Sequence, residues 1–145
     1  MKNYFFVALF LAVTTLGCQK EPESEVVVEC IGASFYYLDN QSTGSLLVEF
    51  GDPGLNQQID SATVVKSGQR TLIGQDASFG SIPRPSETFA RFELYTLLDG
   101  KKTLVYKQDP VENALWTKRK HNPNDPDFGC QQVDYTLRVT DAMLK

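Results

Sequence analysis

The feature that most constrains this chain is a recurrence of short apolar or alternating runs, each broken by turn residues before it reaches helical length. Residues 26–31 and 34–38 read as strand, 39–44 as turn, and 45–50 (SLLVEF) as strand again. Gly51-Asp52-Pro53-Gly54 breaks that strand. Short strands follow at 61–65 and 70–73 around Ser67-Gly68, and 80–86 with Pro83 and Pro85 reads as loop or edge. Near the C-terminus, VDYTLRVT (133–140) alternates cleanly. Val133, Tyr135, Leu137 and Val139 point one way; Asp134, Thr136, Arg138 and Thr140 point the other. Side chains of period two belong to strands. The 9 Phe, 6 Tyr and single Trp favour strands as well. The spacing predicts one all-β domain over residues 26–145, an antiparallel β-sandwich of immunoglobulin-like or related Greek-key type with little helix.

The sharpest local expectation is a hairpin over residues 89–108 turning at Asp99-Gly100. A three-residue loop with Gly100 in the left-handed position pairs Leu97 with Lys101, Leu94 with Leu104, and Phe92 with Tyr106. It gathers the large apolar residues on one face and sets Arg91 opposite Lys107. Asp109-Pro110-Val111-Glu112 reads as a helix start, with Asp as cap and Pro in the first turn. Residues 116–120 read as a strand with a basic exposed face.

Ahead of the domain, Lys2 is followed by an unbroken apolar run at 4–13 and then Leu16-Gly17-Cys18. A secretory signal needs about 7–15 apolar residues and a membrane-spanning helix about 20, so this run predicts export rather than a retained span. Thr15-Leu16-Gly17-Cys18 resembles the lipobox of bacterial lipoproteins, departing from it at Thr15, where Leu is usual. The resemblance implies a signal peptide over 1–17, lipidation of Cys18, and membrane attachment through that lipid. Gln19-Lys20-Glu21-Pro22-Glu23 resembles the lysine-plus-acidic export tag of surface lipoproteins in the Bacteroidota. It also reads as a solvated, extended tether over 18–25. The arrangement as a whole resembles small lipoproteins of that phylum with no assigned activity. It implies a bacterial envelope location, lipid-anchored to the outer membrane, with surface display as one outcome.

Removing Cys18 as the anchor leaves Cys30 and Cys130, an even pair in an oxidising compartment. They are expected to close a disulfide; two buried thiols are the alternative. With no Cys-x-x-Cys and a single histidine, zinc ligation has no support, and no metal or other cofactor is expected.

Of the whole chain, 14 Lys and Arg stand against 18 Asp and Glu, and loss of Lys2 leaves 13 against 18. Such an acidic balance attracts no nucleic acid through its net field. His121 in KHNPNDPD reads as a solvated loop histidine, and no Ser sits in a Gly-x-Ser-x-Gly elbow, so no catalytic residue is assigned. Asn122, Asn124 and Asp127 are candidate calcium ligands with imperfect spacing. Lys118-Arg119-Lys120 beside Trp116 forms a basic-aromatic candidate patch. Tyr36, Tyr37, Tyr95 and Trp116 are candidate glycan platforms, each equally explained by core packing. The expectation is a non-enzymatic binding module for a protein or glycan partner. A structural subunit of an envelope complex is the second reading, and a small hydrolase the third.

Overall fold

The computed structural model describes residues 30–51, 59–126 and 129–145. The expectations for the signal, Cys18, the tether and strand residues 26–29 lie outside the described residues. So does Asp127.

Eight strands form two four-stranded sheets: β1 (Ile31–Asn40), β2 (Leu46–Gly51), β3 (Ile59–Val65), β4 (Arg70–Phe79), β5 (Arg91–Leu98), β6 (Lys101–Gln108), β7 (Trp116–Lys120) and β8 (Gln132–Val139). Their order is β4-β1-β8-β7 in the first sheet and β3-β2-β5-β6 in the second. The two are packed into a β-sandwich. After β2 and β3 pair in the second sheet, β4 returns to lie beside β1, a Greek-key return. Among the described residues helix is scarce: α1 is one turn (Pro85–Thr88), and 3₁₀ turns span Asn113–Leu115 and Asp141–Met143.

The sheets are not wholly antiparallel. β1 and β8 run parallel at the centre of the first sheet, Tyr36 beside Tyr135 and Leu38 beside Leu137. Parallel neighbours bring their starts together. Cys30 immediately precedes β1 and Cys130 precedes β8, and a disulfide joins them. Near the same end, Gly32 passes so close to the 81–82 backbone that a Cβ there would collide with the Ser81 carbonyl.

Between the sheets, Tyr36, Leu38, Leu46, Val48, Phe92, Leu94, Val133 and Leu137 are buried. Phe89, delivered by the turn after α1, plugs the centre. Its ring lies 4.7 Å from those of Tyr36 and Phe50 and 5.8 Å from Trp116. The inward set expected in β8 (Val133, Tyr135, Leu137, Val139) is buried throughout.

The hairpin corrects the expectation. Asp99 and Gly100 form a two-residue loop, both with positive φ (50° and 75°), pairing Leu98 with Lys101 and Tyr95 with Leu104. Left-handed dihedrals at both positions match the twist of the flanking strands. The extra residue sits inside β6: a bulge at Val105 shifts the register, so Leu94 meets Tyr106, Phe92 meets Gln108, and Glu93 faces Lys107. Two observations account for this. Val105 is buried and its carbonyl accepts the Lys145 amide. Gln108 is drawn inward, where its carbonyl accepts the Trp116 Nε1–H (3.4 Å) and its amide donates to the Tyr106 hydroxyl (2.8 Å). A polar network, invisible to apolar patterning, sets the register.

Asp109-Pro110 is no helix cap; the turn begins later, at Asn113, with Glu112 as its cap residue. Residues 80–86 split between a loop and the start of α1.

Two outcomes follow. Replacing Cys30 and Cys130 together by Ser releases a closed loop of 100 residues, costing about 4–5 kcal/mol in the chain-entropy model; thermal unfolding under non-reducing conditions will show it as a fall in Tm of about 15 °C. Phe89→Ala empties the centre of the aromatic cluster and is expected to cost about 3–5 kcal/mol by denaturant titration.

Candidate functional site

β1, β8 and β7 each bury one face, so their alternate residues stand on the outer surface of the first sheet. Register places Phe35 of β1, Asp134 of β8 and Arg119 of β7 side by side. Four residues further along β8, Arg138 stands beside Asp39 of β1, which faces Arg70 of β4 on its other flank.

Asp134 is the hub. Its side chain is only 4 % exposed although it sits on the outer face, because two arginines and a histidine cover it. His121 Nε2 lies 2.6 Å from Oδ1; Arg119 donates to Oδ2 at 2.9 Å and Arg70 at 3.3 Å. Arg70 lies flat over the Tyr37 ring at 3.4 Å and also reaches Thr136. The His121 ring stacks on Phe35 (5.3 Å, 16°), with Nδ1 facing the Gln132 amide at 3.1 Å. A second carboxylate, Asp39, accepts from Arg138 Nε (2.9 Å) and from the Gln41 amide. Burial pushes the Asp134 carboxyl up, but hydrogen bonds from His121 and Arg119 outweigh it and hold the group below the usual carboxylate range. Burial likewise pushes Asp39 up, and Gln41 and Arg138 bring it below.

This arrangement corrects two expectations. His121 is no free loop histidine; it is docked on Asp134 and Phe35. The basic triplet is no single patch, because strand alternation divides it. Arg119 faces outward with Asp134, while Lys118 and Lys120 share the side of Tyr135 and Val133 at the sandwich edge. Trp116 is buried in the core and takes no part. Inward charges on an edge strand guard it against pairing with another chain.

Of the four candidate platforms, Tyr36 and Trp116 are core residues. Tyr37 and Tyr95 stand on the two outer faces, each beneath a cation. Lys102 spans the Tyr95 ring at 3.9 Å and pairs with Glu49. There Glu49 lies directly across from Glu93, Lys107 approaches Glu93 at 3.7 Å, and the Tyr95 hydroxyl donates to Glu93 at 2.8 Å. Burial and the Glu93 carboxylate push the Tyr95 hydroxyl up to about 12.

The candidate calcium loop is tied up internally: Asn122 Nδ2 donates to Asp125, and Asn122 Oδ1 accepts the Asn124 amide. Among the described residues, no group of three or more His, Cys, Asp or Glu gathers as a metal site would require.

The chain matches no known protein family and no curated protein. Chemically the site resembles a histidine–carboxylate pair, but His121 Nδ1 faces Gln132 and not a hydroxyl or thiol. A triad needs a nucleophile there. The face instead offers fixed guanidinium groups directed at solvent.

Alternation along β8 places Asp134 and Arg138 outward in the sequence, but nothing local joins them to Arg70 and His121. Arg70 is 64 residues from Asp134 in sequence, and only the β4-β1-β8 order brings them together.

Asp134→Asn will test the hub. A depressed carboxyl contributes stability that is present above the unfolded value of about 3.9 and lost as pH falls through the folded value. Tm of the wild type should hold between pH 7 and 5 and decline below about pH 4. The variant should lose about 1–3 kcal/mol at pH 7 and show a shallower acid decline.

Proposed function

We propose that this protein is a non-enzymatic binding module of the bacterial envelope, lipid-anchored to the outer membrane at Cys18, tethered by residues 19–25, and using the outer face of the first sheet to contact its partner. The carrying observation is the hub at Asp134: two arginines and a histidine are pre-ordered around one carboxylate on an exposed sheet face, and the second histidine nitrogen faces Gln132. Groups held in place before binding lose little conformational entropy on contact, which favours recognition. Export is supported by the Cys30–Cys130 disulfide, a bond that persists in oxidising compartments. The short apolar run ahead of Cys18 supports anchoring.

A second reading has its own support. Val64, Leu97 and Leu104 on the second sheet are 45–55 % exposed, and apolar groups left in solvent mark surfaces that other proteins cover. In that reading the protein is a structural subunit of an outer-membrane or uptake complex, and a stoichiometric membrane partner will co-purify.

Detergent phase separation tests the anchor. Wild-type protein is expected in the detergent phase and Cys18→Ser in the aqueous phase; wild type in the aqueous phase removes the lipid anchor. Protease shaving of intact and lysed cells then reads the face of the membrane. Loss from intact cells means surface display, and protection until lysis means a periplasmic domain.

A further inference from the structure

We propose that the outer face of the first sheet binds the carboxylates of an acidic polysaccharide, an inference that rests on reading this face as the contact surface. Its carboxylates are spent inward. Asp134 uses both oxygens on His121, Arg119 and Arg70, and Asp39 uses both on Gln41 and Arg138. The guanidiniums are not spent. Arg119 and Arg70 engage their carboxylates through Nη2 alone, and Arg138 through Nε alone. Arg119 and Arg138 have side chains 74 % and 73 % exposed. Three arginines against two carboxylates, each already accepting on both oxygens, leave this face cationic, on a chain whose net charge is −4.

Arg119 and Arg138 each keep a planar fork of unused donors, the geometry that receives a carboxylate through two parallel bonds, while Arg70, whose Nη2 bonds both Asp134 and Thr136, adds charge and single donors at Nη1 and Nε. Contact with the Tyr37 ring and Asp134 positions Arg70 in advance, and the buried aspartates draw in Arg119 and Arg138. Two anion positions result: one at Arg119 and Arg70, the other at Arg138. They are separated by four residues of β8, about 13 Å along the strand. A polymer carrying repeated carboxylates can occupy both, and the second contact is then intramolecular.

The neutral groups of the face select a sugar polymer over a protein. Gln75 is exposed beside Phe35 and Gln132 beside Ala33, Thr117 stands beside Thr136, and Leu72, 44 % exposed beside Tyr37, adds one apolar side chain. The polar side chains among these are hydroxyl- and amide-recognising groups. The aromatic rings that anchor protein interfaces are already capped here, Tyr37 by Arg70 and Phe35 by His121.

The test is isothermal titration of the full chain, in non-ionic detergent, with polygalacturonate as the acidic glycan, dextran as the neutral glycan and poly-glutamate as the acidic polypeptide. Polygalacturonate is expected to bind, more weakly as salt rises. Arg119→Gln and Arg138→Gln should each weaken binding about tenfold, the worth of one charge-assisted hydrogen bond, with Tm lower by only a few degrees, because each removes one cationic partner of Asp134 or Asp39 and leaves the core untouched. Failure of polygalacturonate to bind at low salt overturns the proposal, as does equal binding by both variants. Equal affinity for poly-glutamate overturns it too, since charge alone then suffices. Dextran binding that is lost in Arg119→Gln would end the carboxylate assignment while leaving the contact surface in place. None of these outcomes bears on the lipid anchor, which detergent partitioning reads separately.

Discussion

The parallel pairing of β1 with β8 is the constraint on which the other features depend. It sets the first and last long strands side by side in the middle of one sheet, and joins sequence positions 100 residues apart at the disulfide. Closing so long a loop carries a large entropic cost, which the disulfide removes from the unfolded chain. Both strands then serve two surfaces at once. Tyr36, Leu38, Tyr135 and Leu137 fill the core, while Phe35, Tyr37, Asp134 and Arg138 line the outside. A slip of one residue between them would turn Asp134 into the core and Tyr135 onto the outer face. The same register therefore protects the core and assembles the charged face.

Legibility in the sequence followed physical range. Period-two patterning is local, so the strand at 133–140 and its inward set were readable from eight residues. The disulfide was readable by arithmetic, once Cys18 was set aside. The hairpin was half readable. Asp99-Gly100 marked the turn, but its register depended on Gln108 bonding Trp116 and on Lys145 capping Val105. Those partners lie outside the hairpin, and no apolar count includes them. The charged hub was least readable, since Arg70, His121 and Asp134 come from three separate segments.

Local composition misled where alternation was left out of account. Lys118-Arg119-Lys120 is a run of charge in sequence and two opposed faces in a strand. The tyrosines divide in the same way: Tyr36 and Tyr37 are neighbours, yet one is core and the other surface. A cluster on a sheet is made of residues two apart and of cross-strand partners, not of adjacent letters.

The two outer faces show how a common device yields different surfaces. On each, a cation lies over a tyrosine and reaches a carboxylate on a neighbouring strand: Arg70 over Tyr37 to Asp134, and Lys102 over Tyr95 to Glu49. On the second sheet, Glu49 and Glu93 stand side by side and draw Lys102 and Lys107 inward, so the lysines are committed to the protein's own acids. Exposed leucines and Val64 remain there. On the first sheet one aspartate is shared by two arginines and a histidine, and the guanidiniums keep donors in excess of what that carboxylate accepts. Lysine in that position would present a point charge with no fork. The choice of arginine, and the ratio of cations to acids, is what turns an ion-paired sheet face into one that still has bonds to give.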